Sequence, residues 1–154
     1  MEGINLTRKM IMGRSSILVV EDSDDDFEVL KRVTAKLNIP NPVFRCRSGN
    51  EAWQFLMEVD IRHQKRSGPV VILLDLSMPG LDGRKLLAMI KSNEHLKHIP
   101  VIILTSSVNG TDVESCYRFG ANSYLQKPMD FDDYLDLMKS FKEFWLSHCV
   151  FPLN

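Results

Sequence analysis

The sequence predicts an α/β fold, a (βα)5 unit in which five parallel strands form one open, doubly wound sheet. Five short apolar runs recur along the 154 residues, and each is followed by a segment with helical spacing. The runs at 70–76 and 101–106 are apolar throughout instead of alternating, as parallel strands covered on both faces are. Right-handed crossovers then carry helices to both sides of the sheet.

The elements follow in order. "ILVV" (17–20) is the first strand, and Phe27, Leu30, Val33 and Leu37 make one stripe on the helix after it. Asp24, Asp25 and Asp26 stand where that helix starts; they oppose its dipole, and Asp24 is the expected N-cap. "VFRC" (43–46) is the second strand, followed by Ala52, Phe55, Leu56 and Val59. The polar stretch "DIRHQKRSG" (60–68) reads as a solvated loop. "VVILLDL" (70–76) leads to Leu86, Leu87 and Ile90, with Gly83 near the helix start. "VIILTS" (101–106) leads to Val113, Cys116, Tyr117 and Phe119, with a stop at Gly120. "SYLQK" (123–127) leads to Tyr134, Leu135, Met138, Phe141 and Trp145, reaching about residue 148.

Composition narrows the function. Nineteen Lys and Arg against twenty Asp and Glu leave a net charge of -1, which is no electrostatic footprint for direct nucleic-acid binding. No apolar run reaches the roughly 20 residues that a membrane helix needs, so no membrane partner is expected. Cys46, Cys116 and Cys149 lack zinc spacing and fit reduced thiols in a cytoplasmic protein. His95 and His98 in "EHLKH", at an i, i+3 spacing before the fourth strand, read as a solvated turn and not as a metal site. Residues 1–15 read as a flexible leader without the apolar core of a signal peptide.

In such a sheet, ligands bind beyond the carboxyl ends of the strands. Those ends carry Glu21 and Asp22, Asp75, Thr105 with Ser106, and Lys127 with Pro128. The topology brings three acids, a hydroxyl and an ammonium to one edge. Crowded carboxylates raise one another's pKa values, and a hard divalent cation relieves them. Mg²⁺ takes one or two carboxylates, waters and a phosphate oxygen. Glu21 and Asp22 therefore read as a metal site, while 24–26 read as a helix start.

Taken together, the "VVED" end, "LLDLSMPGLDG", the "LTS" end and "YLQKP" resemble the receiver domain of two-component response regulators, a CheY-like, flavodoxin-like family. The resemblance covers residues 16–146, with 147–154 left as an apolar C-terminal extension and no output domain expected. It implies that Asp75 accepts a phosphoryl group from a sensor histidine kinase, as a phosphoacceptor and not a dedicated enzyme. It further implies Mg²⁺ (or Mn²⁺) held by Asp22, Asp75 and the backbone carbonyl of Ser77, with Glu21 acting through a water. Lys127 would stabilise the phosphoryl group, Thr105 and Tyr124 would switch with it, and Lys127–Pro128 would be cis. Two alternatives stand beside this reading. Dehalogenase-type phosphatases also form an aspartyl phosphate, but they want a second Asp where Ser77 stands. A degenerate receiver would only bind partners, but the full set of acid, hydroxyl and lysine argues against it.

Phe144, Trp145, Val150, Phe151 and Leu153 make the end of the chain unusually apolar, which marks an interaction patch. In "ILLDL", the "GR" after "DG" and the terminal "FWL…P", the sequence is similar to single-domain regulators of cyanobacterial phytochromes. That similarity implies a phytochrome-type kinase. It also implies a homodimer through the fourth helix, fifth strand and fifth helix, anchored by Tyr134, Phe144 and Trp145.

Overall fold

The computed structural model describes residues 16–62 and 68–152. The leader at 1–15, most of the 60–68 loop and Leu153 lie outside the described residues. Five parallel strands form one sheet in the order β2-β1-β3-β4-β5. They are β1 (Ile17–Val20), β2 (Val43–Cys46), β3 (Val71–Leu74), β4 (Val101–Thr105) and β5 (Ser123–Gln126). The helices are α1 (Asp24–Lys36), α2 (Gly49–Arg62), α3 (Gly83–Ser92), α4 (Gly110–Arg118) and α5 (Phe131–Phe141), and a π-helical turn Lys142–His148 continues α5.

The period of two along each strand builds two cores. Leu18, Val20, Ile72, Leu74 and Ile103 face Leu56 of α2, Leu86, Leu87 and Ile90 of α3 and Cys116 of α4. Ile17, Val19, Leu73, Ile102 and Leu104 face Leu30 and Val33 of α1 and Tyr134, Met138 and Phe141 of α5. The predicted stripes on α1, α2, α3 and α5 are therefore the faces that pack on the sheet.

Three local expectations change. Ser23, not Asp24, is the N-cap of α1: its extended backbone precedes the helix, and its hydroxyl accepts from Asp26 N–H at 3.2 Å. Asp24 is already helical, and its carboxylate instead meets Arg45 and Arg47 of the β2 end at 2.7 and 2.5 Å. On α4, Tyr117 and Phe119 are exposed and only Cys116 is buried. The Tyr117 hydroxyl accepts from Tyr124 N–H at 3.2 Å, so this ring covers the edge strand instead of the core. Finally, α2 continues to Arg62, into the stretch expected as loop.

Candidate functional site at the carboxyl edge of the sheet

Strand order reverses between β1 and β3, and the crevice there is where such sheets bind ligands. Ladder hydrogen bonds run one residue past the strands and fix what stands at the edge. Glu21 N–H donates to Cys46 O at 3.0 Å, Asp75 N–H to Val20 O at 3.1 Å and Lys127 N–H to Thr105 O at 2.8 Å. Because Val20 pairs with Leu74, Glu21 and Asp75 emerge side by side. Glu21, Asp22 and Asp75 each offer a carboxylate oxygen, and these lie within 4.8 Å of one another.

Lys127 ties Glu21 and Asp75 to Asp26. Its ammonium lies 2.5 Å from Glu21 Oε2, 2.9 Å from Asp26 Oδ2 and 3.0 Å from Asp75 Oδ2. Asp75 Oδ1 accepts from Ser77 N–H at 3.3 Å, and the buried Thr105 hydroxyl is among the groups that lower the Asp75 pKa. Burial alone would raise the Asp75 pKa, but the Lys127 charge and hydrogen bonds hold it below the usual carboxylate range. Glu21 goes the other way. Burial pushes it up to about 7, with the Asp75 charge adding, and Lys127 only partly opposes. Burial would lower the Lys127 pKa, yet its bonds to Glu21 and Asp26 and the Asp75 charge raise it well above the ordinary lysine value.

Two glycines shape the approach to Asp75. A Cβ on Gly83 would stand 2.3 Å from the Asp75 carbonyl oxygen, so α3 starts against the backbone of the acid itself. Gly80 has φ +78°, the left-handed conformation that the turn after Met78-Pro79 requires.

Thr105 and Tyr124 belong to one network. Ser107 N–H donates to the Thr105 hydroxyl at 3.4 Å, and the Tyr124 hydroxyl donates to the Ser107 carbonyl at 2.8 Å. The Ser107 hydroxyl donates to Asp112 Oδ2 at 3.0 Å, and the other oxygen of Asp112 pairs with Arg84 of α3. The structure thus connects the hydroxyl beside Asp75 to the β4–α4 loop and to α3.

Two expected features are corrected. The Lys127–Pro128 peptide is trans, as are all peptide bonds among the described residues. The trans form is the lower in energy for X–Pro, and the Lys127 ammonium reaches Glu21, Asp26 and Asp75 from it. Tyr134 is only 5% exposed and packs in the core beside α1, so it cannot anchor a partner. Its side chain also lines the small pocket under Glu21, Asp75 and Lys127. Trp145 is half-buried against the same core and meets Phe144 edge to face at 5.1 Å, while Phe144 stays 56% exposed.

Sequence reasoning missed two members of the site. Asp26 reads from the sequence only as part of the helix start, yet its carboxylate accepts from Lys127 at 2.9 Å. Arg45 was hidden inside an apolar run. Its Nε donates to the Glu21 carbonyl at 2.9 Å and its guanidinium stacks on Phe27 at 4.8 Å. A charged residue within an otherwise apolar strand was the available signal.

Known proteins resemble this chain in sequence and fold. The family model described as the response regulator receiver domain matches residues 17–139. The curated response regulator Rcp1 of Synechocystis sp. is 37% identical over 136 residues, covering 88% of this chain and 92% of Rcp1. The solved Mn²⁺-bound form of Rcp1 superposes with a TM-score of 0.79 at 36% identity, over 90% of this chain and 99% of that one. The phosphorylated cyanobacterial phytochrome response regulator RcpA gives 0.79 at 34% identity, over 92% of this chain and 100% of that one. With an aspartate, a lysine, a threonine and an acidic pair converging at the switch point of this topology, the chain belongs to the response regulator receiver family, whose signalling depends on phosphorylation.

Proposed function

We propose that Asp75 is the phosphoacceptor and that its donor is a phosphohistidine of a sensor histidine kinase. The observation that carries this reading is the Lys127 ammonium 3.0 Å from Asp75 Oδ2, beside the acid cluster of Glu21, Asp22 and Asp75. One Asp75 carboxylate oxygen attacks phosphorus while the bond from phosphorus to the donor nitrogen breaks, and the nitrogen leaves with the electron pair. The product is an acyl phosphate, which water later hydrolyses back to carboxylate and phosphate. Lys127, with a side chain only 10% exposed, offers its charge where water competes poorly.

The donor set contains only oxygens, which suits a hard divalent cation. Glu21, Asp22 and Asp75, with the backbone carbonyl of Ser77, would hold Mg²⁺ or Mn²⁺. Bound there, the ion would neutralise charge on the phosphoryl oxygens. Phosphorylation at Asp75 draws on the Thr105 hydroxyl, which also accepts from Ser107 N–H. Output follows as a population shift of the Thr105–Ser107–Tyr124 segment.

The likeness to RcpA supports a phytochrome-type kinase as the partner. The exposed rings of Tyr117, Phe119 and Phe144 support a homodimer through α4, β5 and α5. Among the described residues no helix is long and apolar enough to cross a membrane, and the free thiols Cys46 and Cys116 are buried; both support a cytoplasmic setting. The test is intact-protein mass spectrometry after incubation with acetyl phosphate, with and without Mg²⁺. The expected result is one phosphate adduct that needs Mg²⁺ and disappears in Asp75→Asn. A folded chain without any adduct, or labelling that persists in Asp75→Asn, overturns the assignment.

A further inference from the structure

We propose that Asp26 is a positioning residue that occupies the Lys127 ammonium in the resting site and gives it up to the incoming phosphoryl group. The inference rests on Asp75 as phosphoacceptor. An ammonium has three N–H donors. Lys127 directs them to three carboxylates, those of Glu21, Asp26 and Asp75. A phosphoryl oxygen can therefore gain a Lys127 hydrogen bond only by displacing one of these acceptors.

Burial decides which one leaves. The Glu21 side chain is 5% exposed, and losing the ammonium would strand a buried charge. Asp75 is the reacting group and is nearly as buried. The Asp26 side chain is 48% exposed, so water takes over as soon as Lys127 leaves it.

Asp26 is also held in place. Glu21 Oε1 accepts from Ser23 N–H at 3.1 Å, and the Ser23 hydroxyl accepts from Asp26 N–H at 3.2 Å. With Lys127 bridging Asp26 and Glu21 Oε2, these bonds close a ring through Glu21, Ser23, Asp26 and Lys127. The helix cap thus sets the distance from Asp26 to the ammonium. Asp25, one residue earlier in the same turn, is exposed and takes no part in the ring.

Because Asp26 competes with the phosphoryl group, removing its charge should speed phosphorylation. The test compares Asp26→Asn with Asp25→Asn in the full chain at saturating Mg²⁺. Acetyl phosphate labelling is followed by mass spectrometry, and beryllofluoride affinity by calorimetry. Asp26→Asn should raise the labelling rate and the beryllofluoride affinity about three- to fivefold, the worth of a half-exposed ion pair. Asp25→Asn should change both by less than about twofold, because an exposed charge outside the ring acts only through screened solvent. Asp26→Glu, which restores the charge, should return the slow rate. In nitrogen-15 spectra the Lys127 ammonium signal should shift in Asp26→Asn and stay in Asp25→Asn.

An unsubstituted chain that labels normally, with Asp26→Asn no faster than Asp25→Asn, overturns this inference alone. An unsubstituted chain that never labels overturns the phosphoacceptor reading and this inference with it.

Discussion

Arg45 Nε donates to the Glu21 carbonyl at 2.9 Å, so an edge-strand guanidinium holds the backbone of the turn that carries both Glu21 and Asp22. The same side chain reaches Asp24 at 2.7 Å and stacks on Phe27. It is 10% exposed, which places these bonds where water replaces them poorly. Arg45→Ala should therefore cost about 1–3 kcal/mol of stability. It should also weaken Mg²⁺ binding about tenfold, as the loss of a ligand-orienting group does. Urea denaturation and calorimetric Mg²⁺ titration check the two effects separately. An unchanged Mg²⁺ affinity would show that the turn keeps its shape without Arg45.

Gly83 gives a prediction about the nucleophile without touching it chemically. Any Cβ there meets the Asp75 carbonyl oxygen at 2.3 Å and Leu76 Cα at 2.8 Å, both of them backbone that cannot rotate away. Either α3 lifts or the Asp75 backbone shifts. Gly83→Ala should lose about 1–3 kcal/mol to overpacking. Labelling by acetyl phosphate should fall by roughly tenfold or more, because misplaced reacting groups lose rate steeply. A folded Gly83→Ala protein that labels at the normal rate would show that α3 absorbs the whole displacement.

The acidic site makes the metal-free protein sensitive to pH in a direction set by Glu21. Its carboxyl is raised by burial, from 4.5 to about 7. The folded chain keeps this proton where the unfolded chain releases it. Stability from Glu21 is full below pH 4.5 and is lost as pH rises through about 7. Asp75 is lowered, so its contribution is present above its unfolded value of 3.8 and is lost as pH falls. Between pH 5 and 7 the Asp75 contribution is constant, and the loss from Glu21 should lower stability without divalent cations by on the order of 2 kcal/mol. Glu21→Gln should flatten this slope. Denaturation midpoints across that window, in chelator, make the measurement.

How much of this was legible in the sequence depended on the kind of interaction. β1 and β2 were predicted to the residue, because their apolar runs are bounded by Ser16 and Glu21 and by Pro42 and Arg47. β3 came out shorter than its run, since Asp75 and Leu76 stay buried past the last paired residue. Glu21, Asp22, Asp75, Thr105 and Lys127 were readable because strand ends deliver them to one edge. Asp26 and Arg45 were not, because each acts across about a hundred or about two dozen residues of chain through a side chain whose reach no periodicity encodes. The choice between Ser23 and Asp24 as N-cap turned on a shift of one residue between two good capping side chains. Tyr134 lies in the α5 stripe that packs on the sheet, so it is a core ring, although the resemblance placed it on the dimer face.

Burial separates the three rings once expected to anchor a dimer, and that makes the proposed interface testable. Phe144 is exposed, Trp145 is half-buried under it, and Tyr134 is inside the core. Phe144→Asp should leave stability within about 0.5 kcal/mol, as exposed substitutions usually do. It should shift a dimer toward monomer in sedimentation velocity by at least about tenfold in Kd, the effect of losing an aromatic anchor from an interface. Tyr134→Asp should instead unfold the chain or cost several kcal/mol, on the order of 3 or more, because it buries an unpaired charge against Leu30 and Met138. A monomeric unsubstituted chain at high micromolar concentration would remove the homodimer proposal. Equal dimerisation in Phe144→Asp would move the interface away from the end of α5.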